Sequence, residues 1–240
     1  MTAAELRKRW RAGETTYGAA VRLGSTWATE VFASSGFDFV WLDYQHGFNT
    51  DHALVPMLQS MRGSSATSLV RVPVNRPEVI GHFLDAGAEG VMVPAVQNVA
   101  EAEQAVGSCR YYGLRSYGSL RTSYLADGWR REILCVVMVE TEAGVGNVEA
   151  IANVEGVDAI FLGPNDLSFS LGINPDERGS NEKYTSSVAR IRDACKGAGI
   201  AYGASGTARQ LKAEGCQMIS LGGDSLFIES AMTKALQERL

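Results

Sequence analysis

Among the 240 residues, Glu140 is the hardest to explain as scaffold. It ends the nearly continuous apolar run Ile133–Val139 and opens a Thr-Glu-Ala-Gly turn. An unpaired carboxylate at such a place is costly, so a cation or a donor must face it. Asp166 stands in a similar position, after the run Asp158–Leu162 and behind Gly163, Pro164 and Asn165. Arg71 interrupts the apolar segment SLVRVP, and Asp43, Tyr44, Gln45 and His46 follow FVWL. Two carboxylates with water completing the shell suit a hard octahedral ion, Mg²⁺ or Mn²⁺, with Co²⁺ as an alternative. Arg71 then supplies a fixed positive charge where an enolate or carboxylate oxygen could sit. Lewis-acid stabilisation of an enolate is the natural use of such a group. Each residue also has a plainer reading. Asp166 and Asp224 can cap the helices that follow them, Arg71 can pair a carboxylate structurally, and His46 can fill a polar loop. Those readings would have to hold at four strand ends together.

Other chemistries lack their residues. A Schiff-base enzyme needs a lysine projecting into its site, but Lys8, Lys183, Lys196, Lys212 and Lys234 all fall on expected helices. The only histidines are His46, His52 and His82, two of them in helical patterns, which argues against a His-rich zinc site. A pair of carboxylates could serve a glycosidase, yet nothing identifies a sugar platform.

The elements that position these residues alternate from end to end. After a capping helix near residues 2–12, strands are expected at Tyr17–Arg22, Asp38–Leu42, Ser68–Val72, Gly90–Val93, Ile133–Val139, Asp158–Leu162, Ile200–Gly203 and Gln217–Leu221. Amphipathic helices fill the intervals, Gly144–Ala152 reading as one of them. Strands apolar on both faces belong in a sheet covered on each side. Eight β-then-α units predict an α/β fold, a (β/α)₈ TIM barrel occupying 1–240 as one domain. A doubly wound sheet is second choice, because no GxGxxG follows the first strand. In a barrel, sites form at the carboxyl ends of strands, where the acids, His46 and Arg71 all fall. The amino ends carry mostly Gly, Ala and loop residues. Cys109–Arg131, rich in Tyr, Gly and Arg, reads as an insertion near the mouth.

Composition narrows the partners. A net charge of −5 with no long Lys/Arg run argues against nucleic acid. No apolar run nears the ~18 residues of a membrane span, and the charged N-terminus has no signal-peptide core. Four cysteines without CxxC spacing read as reduced thiols of a cytoplasmic protein.

Six segments in register resemble the HpcH/HpaI aldolase family. They are Trp41-Leu42-Asp43-Tyr44-Gln45-His46-Gly47, Val70-Arg71-Val72-Pro73, Phe83-Leu84-Asp85-Ala86-Gly87-Ala88, Val93-Pro94-Ala95-Val96-Gln97-Asn98, Val139-Glu140-Thr141-Glu142-Ala143, and Val154 to Asp158 running on to Gly163-Pro164-Asn165-Asp166-Leu167-Ser168. The resemblance implies a class II pyruvate aldolase. Such enzymes are divalent-metal lyases that reversibly cleave 4-hydroxy-2-oxo acids to pyruvate and an aldehyde through a metal-bound pyruvate enolate. Glu140 and Asp166 would hold the metal, and Arg71 would stabilise the enolate oxygen. His46, oriented by Asp43, would act as base or manage a water. The amides of Asn165 and Asp166 would bind the pyruvate carboxylate. Asp85 matches a position at a subunit interface, completing a neighbour's site. The family is typically hexameric, a dimer of trimers with an exchanged C-terminal helix, here Ser225–Leu240.

Three positions depart from the family's pattern. Gln45 stands where relatives often carry an acid before the His. Met138 replaces a substrate-contacting Gln two residues before Glu140. Tyr111-Tyr112-Gly113-Leu114-Arg115 replaces a Pro-Pro turn. Metal and enolate chemistry are expected intact, with substrate handling altered. Oxaloacetate decarboxylation, or a biosynthetic C–C bond-forming step on the same platform, stays open as a rival. So does a non-catalytic barrel that binds a 2-oxo acid. Tyr111, Tyr112, Tyr117 and Tyr124 would suit a bulky acceptor if the insertion reaches the mouth.

Overall fold

The computed structural model describes residues 1–118 and 128–238; Tyr124 lies outside them. Its elements run α1 (Ala3–Arg11), β1 (Thr16–Val21), α2 (Thr26–Ser34), β2 (Phe39–Asp43), α3 (Asp51–Ser60), β3 (Thr67–Arg71), α4 (Pro77–Asp85), β4 (Gly90–Val93) and α5 (Val99–Ser108). They continue with β5 (Leu134–Val139), α6 (Glu142–Gly146), α7 (Val148–Ala152), β6 (Ala159–Leu162), α8 (Pro164–Ser170), α9 (Glu182–Ala198), β7 (Ala201–Ser205), α10 (Ala208–Ala213), β8 (Met218–Gly223) and α11 (Asp224–Gln237). The strands form a closed parallel barrel in sequence order, so the open doubly wound sheet is excluded. Closure of β8 on β1 pairs Thr16 with Met218 and Ala20 with Gly223, with a register shift between. A Cβ at Gly223 would press on the Ala20 carbonyl at 3.0 Å, which explains a glycine there.

Alternation along the strands sorts the core into two layers. Phe39 and Trp41 of β2, Leu69 of β3, Met92 of β4, Val136 and Met138 of β5 and Phe161 of β6 fill the interior. Their sequence neighbours pack outward against the helices. Helix α1 closes the amino end. Thr2 and Glu5 form a capping box at its start. Leu6 and Trp10 are buried with the interior layer, and the Trp10 indole N–H donates to Thr16 Oγ1 at 2.8 Å. Burial of each of these two side chains contributes about 1.5–3 kcal/mol.

Three expectations change. The amino ends of the strands are charged rather than bland. Arg7 of α1 donates to both oxygens of buried Asp158 (2.6 and 3.1 Å), and Arg9 pairs with Asp38 at 2.5 Å. Gly144–Ala152 is two short helices, because Asn147 ends α6 and begins α7 while its side-chain amide donates to the Gln97 carbonyl. The described part of the insertion, residues 109–118 and 128–131, is not at the mouth. The insertion joins the C-terminus of α5 to the start of β5, and helix-to-strand connections lie at the amino end of such a barrel. Arg131 of this segment accordingly donates to the Gly87 carbonyl, just ahead of β4.

All five lysines lie on helices, and all four cysteines are buried and unpaired. Among the described residues no helix is long and apolar enough to cross a membrane.

Candidate active site

The inward alternation that places Phe39 and Trp41 inside the barrel delivers Asp43 to its mouth. On β3 the same period carries Leu69 on to Arg71, and on β5 it carries Val136 and Met138 on to Glu140. Asp43 and Arg71 are register partners on neighbouring strands. The Arg71 guanidinium grips Asp43 as a fork, Nε to Oδ1 at 2.9 Å and Nη2 to Oδ2. Both side chains are almost fully buried, and the guanidinium lies 5.0 Å from the Trp41 ring centre. A two-point grip of this kind fixes the plane of the arginine. Burial would raise the Asp43 pKa, but Arg71's hydrogen bonds and charge, the His46 amide and Arg22 outweigh it and hold Asp43 below the usual carboxylate range.

Asp43 also gathers the following loop, Oδ1 accepting from the amides of Gln45 (3.2 Å) and His46 (3.1 Å). The expected orientation of His46 by Asp43 therefore acts through the backbone, while the carboxylate itself is committed to Arg71. The His46 side chain is exposed at the rim, and Gln45 is half-buried with Oε1 lacking a partner.

Glu140 follows β5, two strands round the barrel from Arg71. Its Oε1 accepts from the Ala95 amide at 2.8 Å, and its Oε2 is buried without a partner. Burial pushes its pKa up. The Ala95 bond opposes that, Asp166 adds to it by repulsion, and Arg71 and His46 oppose it. Two backbone features shape the position. Ala95 has φ +54°, the only non-glycine with positive φ among the described residues. That uncommon conformation aims its amide at Glu140. A Cβ at Gly163 would fall on Glu140 Oε2, so only glycine leaves the carboxylate its place.

Asp166 is exposed in the first turn of α8, whose opening Pro164 suits a first helical position. Asn165 Oδ1 accepts from Arg178 Nη1 at 2.9 Å. Among the described residues no cluster of three His, Cys, Asp or Glu could hold a metal. The donor set is thus two carboxylates, one with an orphaned buried oxygen, which fits a hard divalent cation that keeps positions for water and substrate.

The structure does not bring every expected residue here. Asp85 ends α4, at the opposite end of the barrel from this mouth, and pairs with Arg115 at 2.6 Å. It cannot serve its own chain's site. Tyr111 and Tyr117 meet edge to face in the same amino-end region, Arg115 lying 4.3 Å from the Tyr111 ring centre. They do not line this mouth either. Met138 is buried in the interior layer one level below Glu140. Asp224 is buried and accepts the amides of Arg22 (3.0 Å) and Leu23 (2.9 Å), so it holds the loop after β1. Sequence reading missed Arg22, the tail of an expected strand. Its Nε reaches Asp43 Oδ2 at 3.2 Å. The signal available was a charged residue directly after an apolar strand.

The profile of the HpcH/HpaI aldolase/citrate lyase family matches residues 21–231. The chain belongs to this family. It is a carbon–carbon lyase of the class II aldolase type, as its motifs implied. A 5-keto-4-deoxy-D-glucarate aldolase from Shigella dysenteriae is 34% identical over 223 residues, covering 86% of this chain and 85% of its own. Among solved structures, an HpcH/HpaI aldolase/citrate lyase family protein from Burkholderia cenocepacia superposes with TM-score 0.90 at 32% identity, covering 98% of each chain. The citrate synthase SbnG superposes with TM-score 0.86 at 30% identity, covering 98% of this chain and 96% of that one.

Proposed function

We propose that this HpcH/HpaI protein reversibly cleaves 4-hydroxy-2-oxo acids to pyruvate and an aldehyde, using Glu140 and Asp166 to hold Mg²⁺, Mn²⁺ or Co²⁺. The observation that carries the reading is Glu140. Its buried, unpartnered Oε2 and its repulsion by Asp166 are relieved together by a bound dication. When bound, the metal supplies Lewis-acid polarisation of the 2-oxo acid.

The protein groups do the rest. Arg71, oriented by Asp43, stabilises negative charge developing on the keto oxygen as the C3–C4 bond breaks. His46 stands at the rim, able to take the proton of the 4-hydroxyl directly or through a water and to return a proton to the pyruvate methyl. The first-turn amides of Asn165 and Asp166 face the carboxylate of the 2-oxo acid. Trp41 and Met138 form a dry floor that strengthens these interactions. The relatives named for a keto-deoxyglucarate act on a compound with a carboxylate at each end, so dicarboxylic substrates are the first to try.

A homo-oligomer is supported by apolar surface without cover. Only Asp224 of α11 is buried, while Leu226, Ile228, Met232 and Leu236, with Val31 of α2, are half exposed or somewhat more, and Trp27 of α2 is 78% exposed. The hexamer, with α11 exchanged and Asp85 serving a neighbour, is the arrangement that would cover them. A cytoplasmic location accords with the four unpaired thiols.

The test is exchange of the pyruvate methyl protons with deuterated water. The wild type with Mn²⁺ should exchange, and Glu140→Gln and Asp166→Asn should lose exchange together with Mn²⁺ affinity. Full exchange by a metal-stripped double variant would end the reading. Metal binding without any exchange would instead favour a 2-oxo acid-binding barrel. Oxaloacetate consumption assayed beside aldol cleavage separates lyase from decarboxylase.

A further inference from the structure

The Arg22 side chain is unexplained by the scaffold around it. Its backbone is pinned: the amide donates to buried Asp224, and its carbonyl accepts from Phe48 N at 2.6 Å. The side chain is 40% exposed at the mouth, lies 5.5 Å from the Trp41 ring centre, and touches Asp43 Oδ2 through Nε alone. For Asp43 it is a second guanidinium partner. Arg71 already holds both carboxylate oxygens, and two loop amides fill the remaining places on Oδ1. The Nη groups of Arg22 have no acceptor among the described residues. Two guanidiniums thus share one carboxylate, which leaves one positive charge over at the β1–β2 side of the mouth.

The position of that charge matters. In an eight-stranded barrel β1 stands across from β5, so Arg22 faces Glu140 over the full width of the mouth. A substrate whose 2-oxo acid end sits by Glu140 and Asp166 extends its other end toward β1. We infer that Arg22 binds a carboxylate on the acceptor half of the substrate and so sets a preference for dicarboxylic 2-oxo acids over those with neutral tails. This inference rests on the proposed function, which places the 2-oxo acid end by Glu140. An arginine held at its backbone, stacked on an indole and offering two parallel N–H groups is suited to a carboxylate.

The experiment is calorimetric binding to the Mn²⁺-loaded protein of 2-oxoglutarate and of 2-oxopentanoate, which match in chain length and differ in the distal carboxylate. The wild type should bind 2-oxoglutarate at least tenfold more tightly. Arg22→Gln should erase that ratio while 2-oxopentanoate binds as before within a factor of about three, and Arg22→Lys should restore part of it. Raised salt should weaken 2-oxoglutarate binding more than 2-oxopentanoate binding. A ratio unchanged in Arg22→Gln overturns the role of Arg22. Equal loss for both ligands overturns it too, showing Arg22 to be a prop for Asp43. If neither ligand binds the wild type in the presence of Mn²⁺, the proposed 2-oxo acid site itself is wrong, and this inference falls with it.

Discussion

Replacement of Gly163 by alanine tests the placement of Glu140 without removing a single polar atom. The backbone there has φ −92° and ψ 93°, which alanine can adopt, so any effect is steric. A Cβ would fall on Glu140 Oε2 and lie 2.6 Å from the Glu140 Cβ. Restoring an ordinary contact of ~3.5 Å moves the carboxylate oxygen by more than about 1 Å. Metal–ligand distances tolerate only about 0.2 Å. Gly163→Ala should therefore weaken Mn²⁺ binding at least tenfold, about 1.4 kcal/mol. The extra methyl should cost about 1–3 kcal/mol of stability through overpacking, offset by roughly 0.4–1 kcal/mol from the stiffer unfolded chain. Calorimetric titration of Mn²⁺ into the folded variant, with a thermal melt alongside, measures both. If Gly163→Ala binds Mn²⁺ as tightly as the wild type, Glu140 does not hold the ion through the orphaned oxygen, and the site has been assigned to the wrong group.

Three further outcomes can be checked by unfolding in urea. Arg7→Met leaves Asp158, whose side chain is 2% exposed, without its counter-charge, and should cost about 3–5 kcal/mol; less than 1 would mean the α1 plug holds by apolar contact alone. Ala95→Gly removes a left-handed alanine and should stabilise the chain by about 1 kcal/mol, whereas a loss would place the strain elsewhere. For Asp43, whose pKa is depressed in the folded state, the ionised form contributes stability fully above its unfolded value near ~3.9, lost as pH falls through the lower folded value. The stability gap between wild type and Asp43→Asn should therefore be constant from pH 7 to about 5 and narrow below about 4. A gap that widened on acidification would contradict the Asp43–Arg71 pairing.

Much of this was legible because strand geometry is periodic. Once FVWLD, SLVR and LCVVMVE are read as strands, alternation alone puts Asp43, Arg71 and Glu140 inside and at the same end. The grip of Arg71 on Asp43 was not legible, since the residues stand 28 apart and only barrel register joins them. Arg22 was lost by a one-residue difference in where β1 ends. The insertion was misplaced because its composition suggested a mouth, whereas direction of travel, from helix back to strand, decides the end of the barrel. Gly163 and Ala95 gave no sequence signal. One is defined by the atom it makes room for, the other by the direction of a single N–H.

The plug formed by Leu6 and Trp10 gives the barrel a single door. Whatever enters over Glu140 and Arg71 must leave by the same route, past Arg22, His46 and the first turn of α8. On the proposed function, an ion held by Glu140 and Asp166 would enter before the keto acid, and the aldehyde would leave before pyruvate. Product inhibition patterns would then inherit that queue, with pyruvate competing against the cleavable substrate and the aldehyde not.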